Sequence, residues 1–153
     1  MKKSLFAFAF LLSLLPAAHA EEIGAVATTW RMVGANDRIV IEAYDDPDVN
    51  GVACHVSRAQ TGGILSSSDP NEASISCRQV GPINWEAVRR LPQTEPVVFK
   101  EKTAFLFKEL KVARVVDEKR RSLVYLVYTT KLWDGSPKNV ISTVPVMEWI
   151  QPQ

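Results

Sequence analysis

The sequence predicts an all-β domain, predominantly antiparallel, built as a small sandwich or barrel with one short helix and stapled by one disulfide. Three observations lead to this prediction. Short runs rich in β-branched and aromatic residues recur along the chain, turn-forming Gly, Asn, Asp and Pro residues separate them, and there are two cysteines in 153 residues. No internal repeat or interior linker interrupts this pattern. We therefore expect a single domain with one core.

The first 20 residues have the pattern of a secretory signal peptide. A basic head of Lys2 and Lys3 precedes an apolar run from Leu5 to Leu15, and Ala18-His19-Ala20 is a typical cleavage motif. The apolar run is about half of the roughly 20 residues that a membrane-spanning helix needs. We therefore predict that residues 1–20 are removed, that the mature domain is residues 21–153, and that it is periplasmic or secreted.

The charge balance excludes one large class of partner. The whole chain carries 18 Lys and Arg against 17 Asp and Glu, a net charge of +1. Loss of Lys2 and Lys3 leaves 16 basic residues against 17 acidic ones, a net charge of −1. General binders of nucleic acid or of anionic membranes rely on an excess of Lys and Arg. We therefore expect no nucleic-acid partner and no electrostatic attraction to anionic lipid.

Local patterns predict the elements in chain order. The first strand is expected to include Trp30 as a core residue. Asn84 is expected to cap a short helix from Asn84 to Leu91 before Pro92 ends it. Between strands, Gly, Asn and Asp supply the turns. Eight segments are predicted as strands: Ile23–Val33, Arg38–Tyr44, Val52–Ser57, Ser74–Val80, Val97–Lys100, Thr103–Val116, Leu123–Thr130 and Asn139–Val146.

Two features of the C-terminal half predict how its strands are arranged. Val124–Tyr128 is apolar at every position, which indicates a central strand. The charged run Asp117–Arg121 separates it from Lys111–Val116, which favours a hairpin with a charged tip. Within Thr103–Val116 the alternation breaks, so we expect a bulge near Lys108-Glu109, with a short helix as the competing interpretation.

Both cysteines lie on the apolar parity of their strands. Cys54 shares a strand face with Val52 and Val56, and Cys77 shares one with Ile75. Two cysteines in an oxidising compartment are expected to form one structural disulfide, introduced by the periplasmic disulfide-forming machinery during folding. A functional redox pair is the alternative, although such pairs are usually close in sequence at a helix N-terminus.

Several segments resemble the CreA family of small bacterial proteins. The resemblance implies a signal peptide and a periplasmic location, and the family has no established biochemical activity. It therefore supplies no mechanism. The segments that carry the resemblance are Asp45-Asp46-Pro47-Asp48-Val49, Cys54, Val56-Ser57-Arg58-Ala59, Thr61-Gly62-Gly63, Ile75-Ser76-Cys77, Gln79-Val80-Gly81-Pro82-Ile83, Gly135-Ser136-Pro137-Lys138-Asn139 and Val144-Pro145-Val146.

The segment Asp46-Pro47-Asp48-Val49-Asn50-Gly51 matches the first half of a calcium loop. Asp46, Asp48 and Asn50 are therefore weak candidate calcium ligands. The second half of the loop fails, because Ser57 stands where a bidentate Glu is required. We expect this segment to be a turn capped by Asp or Asn side chains, and we assign no metal and no cofactor.

The sequence contains few residues that could serve as a nucleophile or a general base in the common enzyme mechanisms. His55 is the one histidine after residue 20, and strand alternation directs it away from Cys54. Four acids, Glu42, Asp45, Asp46 and Asp48, are expected to form a solvated acidic turn. No catalytic residue is assigned. A small hydrolase or lyase that uses the acidic turn around Asp46 is the alternative function.

Three tryptophans are candidate binding residues because each stands beside an acid near a turn or the terminus. Trp85, Trp133 and Trp149 precede or follow Glu86, Asp134 and Glu148, so part of each ring is expected to be exposed. Arg58, near the loop Thr61–Gly63, is a further candidate that could reach an anion. The leading prediction is a non-enzymatic binding or interaction module of the cell envelope, whose partner is an unknown envelope protein or small ligand.

Overall fold

A computed structural model describes residues 20–62, 73–92, 97–102, 109–130 and 138–150. These residues form eight strands and one short helix, so the predicted all-β class is confirmed. No helix among them is long and apolar enough to cross a membrane. The elements are β1 (Glu21–Ala27), β2 (Arg38–Asp45), β3 (Val52–Gln60), β4 (Ala73–Gln79), α1 (Trp85–Val88), β5 (Val97–Lys102), β6 (Glu109–Asp117), β7 (Ser122–Thr129) and β8 (Asn139–Pro145).

The strands form two four-stranded antiparallel sheets in which each strand pairs with its neighbour in sequence. The first sheet has the order β1-β2-β3-β4 and the second the order β5-β6-β7-β8. The predicted central strand is β7, which lies inside the second sheet between β6 and β8. The turn between β6 and β7 carries the charged residues 118–121, so the predicted hairpin is also confirmed.

Side chains join the two sheets where β4 and β8 lie side by side. Ser142 Oγ on β8 accepts a hydrogen bond of 2.8 Å from the Cys77 amide on β4. The Gln79 side chain binds the backbone of Met147 twice, donating to its carbonyl at 3.1 Å and accepting from its amide at 3.0 Å. The opposite edge strands, β1 and β5, are paired on one side only.

One core lies between the inward faces of the sheets. Cys54 and Cys77 are directly opposite each other on β3 and β4 and form the disulfide, with both residues buried. The prediction that both sulfurs point inward is thus confirmed. The remaining core is aliphatic and aromatic: Tyr44, Val49, Val52, Val56, Val88, Val98, Phe99, Leu110, Val112, Leu123, Tyr125, Val127, Val144 and Val146.

The first strand is shorter than predicted, and the prediction that Trp30 belongs to the core is wrong. β1 ends at Ala27, and Trp30 is 78% exposed. The Thr28 amide donates to the Asp37 carbonyl at 2.7 Å, which closes the hairpin before the alternating pattern of the sequence ends. Trp30 therefore lies in the connection between β1 and β2, beyond the buried part of the first sheet.

The short helix begins as the sequence predicts. Asn84 Oδ1 accepts a hydrogen bond of 3.1 Å from the Ala87 amide, and Glu86 lies in the first turn. Val88 packs into the core. The segment 103–108, with the Lys108 half of the expected bulge and most of the competing helix, lies outside the described residues. The described residues Glu109–Val116 are strand.

Gly51 is required by both its conformation and its surroundings. Its φ is +91°, and its carbonyl accepts hydrogen bonds from the amides of Val80 and Gly81. A Cβ at this position would lie 2.8 Å from the Gly81 and Pro82 carbonyl oxygens, closer than such atoms approach. The turn between β2 and β3 is thereby packed directly against the segment that follows β4.

We expect Gly51→Ala to lower the free energy of unfolding by about 1–3 kcal/mol, because alanine is strained at positive φ and the clash adds to that strain. Urea unfolding followed by circular dichroism measures the change. Gly24→Ala is the matched control, since a Cβ there meets nothing within 4 Å. Equal loss of stability in both variants would contradict the role assigned to Gly51.

Candidate functional site

Asp46, immediately after β2, holds a turn and also joins the two sheets. Its Oδ1 accepts hydrogen bonds from the amides of Asp48 at 2.9 Å and Val49 at 3.1 Å, so the predicted side-chain-capped turn is confirmed. From the second sheet, Arg114 Nη1 donates to the same oxygen and Tyr125 donates to Oδ2 at 2.6 Å. Arg114 Nη2 also donates to Asp48 at 3.0 Å. We call these four residues, Asp46, Asp48, Arg114 and Tyr125, the Asp46 cluster.

Electrostatics in the Asp46 cluster keep Arg114 charged and the Tyr125 hydroxyl protonated. Asp46 is 2% exposed and Arg114 is 4% exposed. Burial acts to lower the pKa of Arg114, but the hydrogen bond and the charge of Asp46 outweigh burial and raise it. Burial, with the charge of Asp46 added, raises the pKa of Tyr125, which keeps its hydroxyl protonated and able to donate. The cluster therefore holds the sheets together across the core.

This geometry leaves the Asp46 carboxylate little capacity for other chemistry. Both of its oxygens already accept hydrogen bonds, and Asp48 is directed at Arg114. Among the residues that the structure describes, no three or more His, Cys, Asp or Glu side chains are grouped to hold a metal ion. The weak calcium hypothesis for Asp46, Asp48 and Asn50 gains no support from these positions.

Glu42 on β2 and Arg58 on β3 form a second buried ion pair, on the inward face of the first sheet. Arg58 Nε donates to Glu42 Oε2 at 3.0 Å and Arg58 Nη2 donates to Oε1 at 2.7 Å. Both residues are buried. The predicted solvated acidic turn is therefore wrong for Glu42 and Asp46. Arg58, the candidate anion-binding residue, is buried beside Glu42.

Strand parity contained the signal for this pair. Glu42 lies on the same face of β2 as Val40 and Tyr44. Arg58 lies on the same face of β3 as Cys54 and Val56. Both sequences therefore place a charged residue on the apolar face of a strand. Opposite charges on one buried face of adjacent strands predict a pair, because an unpaired buried charge is costly.

The tryptophans predicted to bind are not brought together in the described residues. Trp85 is half-buried and packs against the core from α1. Trp149 is partly exposed and lines an open cleft of about 510 Å³ with Cys77, Gln79 and Met147. Trp133 lies outside the described residues. His55 is half-buried on the outer face of the first sheet, as its parity predicts.

The connection between β1 and β2 is an exposed apolar feature that the sequence patterns did not predict. Trp30 is 78%, Met32 86% and Val33 84% exposed. Val26 and Ile39, which pair across β1 and β2, add apolar surface on the outer face of the first sheet. We call Trp30, Met32 and Val33 the apolar tip. A signal was present in the sequence, since these three residues directly precede the turn-forming run Gly34–Asp37.

The apolar tip stands on a hydrogen-bonded base. Arg31 Nη2 donates to both carboxylate oxygens of Asp37, at 2.8 and 2.9 Å, and the Arg31 amide donates to Asn36 Oδ1 at 2.7 Å. Asp37 Oδ1 also accepts from the Gly62 amide at 2.7 Å, and the Asp37 amide donates to Thr29. The Arg31 hydrogen bond and the Gly62 amide hold the pKa of Asp37 below its ordinary value, so the carboxylate stays ionised at neutral pH. The base therefore fixes the loop while the tip points to water.

Comparison with known proteins assigns the chain to a family. A family model described as CreA protein matches residues 23–149. Protein CreA of Escherichia coli strain K12 is 51% identical over 146 residues, which cover 92% of this chain and 93% of that protein. The proteins of the same name from strains O6:H1 and O157:H7 match equally well. No solved structure matches. The chain belongs to the CreA family.

Proposed function

We propose that this protein is a binding module of the bacterial cell envelope and that it holds its partner through the apolar tip. One observation carries the proposal: a hydrogen-bonded loop keeps Trp30, Met32 and Val33 in water, each more than three-quarters exposed. Large apolar side chains clustered at the surface mark interaction sites more often than isolated ones do. Tryptophan is also enriched among the residues that dominate binding energy.

Binding fits the molecule better than catalysis. The alternative of a hydrolase or lyase depends on the acids around Asp46, and the Asp46 carboxylate is committed to Arg114, Tyr125 and two backbone amides. A general acid or base must be within reach of a substrate proton. Asp46 is buried, whereas the apolar tip is accessible from solvent. These contrasts support a module whose surface, and not a catalytic group, is the functional part.

In-cell crosslinking tests the proposed use of the tip. A photo-crosslinking amino acid at position 33 should trap a partner reproducibly on irradiation. The same amino acid at position 119, in the exposed charged turn between β6 and β7, is the matched control. If both positions give the same adducts, the apolar tip is not the binding surface.

Export is part of the same proposal. The signal-like pattern of residues 1–20 and the buried disulfide both support export to the periplasm or the cell exterior. β1 begins at Glu21, the residue after the predicted cleavage point, so removal of the leader leaves every described strand whole. Intact mass of the periplasmic fraction should give a chain that starts at Glu21. Recovery of an unprocessed cytoplasmic chain would contradict export.

A further inference from the structure

We propose that the apolar tip inserts into the interfacial layer of a lipid bilayer, so that the partner of this module is a membrane surface bound without electrostatic attraction. The inference rests on the proposed function, because it names the partner of the same tip. The proposed function names a binding surface without its partner. The inference makes that partner a membrane, which the protein contacts peripherally through Trp30, Met32 and Val33.

The size of the tip favours lipid over a folded protein. A specific protein interface buries about 800 Å² on each partner. An aromatic side chain contributes at most about 250 Å², and Met32 and Val33 are smaller, so the tip alone supplies less than that area. A bilayer has no such minimum, because it yields around a convex loop and each inserted apolar group adds to the partition coefficient.

The composition of the tip suits the interface between headgroups and acyl chains. Trp30 combines a large apolar ring with an N–H donor, and tryptophan is enriched at this depth of membranes. Met32 and Val33 supply apolar surface without charge. Insertion to a depth of about 5–10 Å, as for other interfacial segments, requires no crossing of the membrane.

The base of the tip lowers the cost of insertion. The amides of Thr28, Arg31 and Asp37 donate hydrogen bonds within the hairpin. The same bonds hold the loop in one conformation before it binds, so less conformational entropy is lost on insertion. The loop is thus prepared to enter an apolar layer.

The charges around the tip are already neutralised. Arg31 pairs with Asp37, and Arg38 donates to Glu22 at 3.2 Å and to Gln60 at 2.7 Å. Attraction to anionic headgroups therefore contributes little, in agreement with the near-neutral balance of the chain. Binding should depend on exposed apolar surface, and raising the salt concentration should not weaken it.

Vesicle flotation tests this inference. The protein is purified in the form in which it accumulates in cells, and its N-terminus is identified by intact mass. It is then mixed with vesicles of phosphatidylcholine and phosphatidylethanolamine. We expect it to float with these vesicles equally at low and high salt. Replacing all three tip residues (Trp30→Ser, Met32→Ser, Val33→Ser) should reduce the bound fraction roughly tenfold or more, because about 1.4 kcal/mol of lost transfer free energy already gives a factor of ten.

The matched control removes exposed apolar groups elsewhere. Ile141, Met147 and Ile150 are 62%, 69% and 85% exposed, so their replacement by serine takes away a similar surface without touching the core. This control should float like the unmodified protein, and all three proteins should have the same urea midpoint. If both variants lost the same fraction of vesicle-bound protein, binding would be nonspecific adsorption through any exposed apolar surface, and the inference would be overturned.

Three further outcomes would also overturn the inference. Flotation only with vesicles that contain phosphatidylglycerol, lost at high salt, would indicate electrostatic binding. No flotation at all, together with a protein adduct trapped at position 33, would remove lipid as the partner while the proposed binding function survives. Absence of both flotation and adducts would remove the function as well.

Discussion

Replacing Asp46 by alanine should lower the free energy of unfolding by about 3–5 kcal/mol, which is the range observed when one partner of a buried ion pair is removed. Arg114 would remain buried with its charge uncompensated by Asp46, and the Tyr125 hydroxyl would lose its acceptor. The turn would also lose two capping hydrogen bonds. Since small domains are stable by about 5–15 kcal/mol in total, the variant would be close to unfolding. Urea denaturation measured by circular dichroism gives the difference.

The control for this prediction is Asp45→Ala. Asp45 is the preceding residue on β2 and carries the same charge, but it is exposed. We expect its replacement to change the free energy of unfolding by less than about 0.5 kcal/mol. A loss of stability in the Asp45 variant equal to that of Asp46→Ala would show that the charge of the turn matters and the Asp46 cluster does not.

Because Asp46→Ala is expected to be close to unfolding, this variant is a poor test of a catalytic role for the acids around Asp46. Loss of any turnover in an Asp46 variant could reflect unfolding alone. Asp48→Asn is a better probe, because the Asp48 side chain is 53% exposed and its pairing with Arg114 is the smaller part of the cluster. Unchanged turnover in a folded Asp48→Asn protein would remove that side chain from any mechanism.

The second large effect is expected from removing the disulfide. Replacing Cys54 and Cys77 together by alanine should lower the free energy of unfolding by about 2–5 kcal/mol. The two residues are 23 apart in sequence, and in the chain-entropy model a loop of this size gives about 3 kcal/mol. The sulfurs also fill core space between the sheets, so the loss includes packing. Urea unfolding with and without a reducing agent checks the size of the effect.

The same pair of conditions distinguishes a structural from a redox role. Reductant should destabilise the unmodified protein and have no effect on the double alanine variant. Cys54 is fully buried, so we expect little reaction of the folded oxidised protein with a mild thiol. Fast reduction of the native protein, with no change in its stability, would favour the redox alternative.

Local patterns in the sequence were sufficient for most of the elements. Alternation predicts strands that the structure confirms near Arg38–Tyr44, Ser74–Val80 and Asn139–Val146, with ends that differ by no more than one residue. The cap at Asn84 and the turn at Asp46 were also predicted, because each depends on hydrogen bonds between residues two or three apart. Such contacts are determined within the segment itself.

Alternation was less informative about what covers a strand face. The pattern through Trp30 continues the apolar parity of the first strand, yet the hairpin closes at Thr28 and Trp30 is exposed. Parity assigns a residue to one face of a sheet but carries no information on whether a second sheet reaches it. The same limit explains Glu42, for which the sequence predicts a solvated side chain although its face is buried.

The sequence by itself determined the strands, their turns, the inward cysteines and the balance of charge, because these follow from neighbouring residues. Only the tertiary structure decided the partners of Asp46, since Arg114 and Tyr125 are 68 and 79 residues away and reach it across two packed sheets. It also decided that Arg58 is buried and that Trp30 is exposed. The physical reason is that ion pairing and burial depend on where one sheet ends over the other, and local sequence does not encode that position.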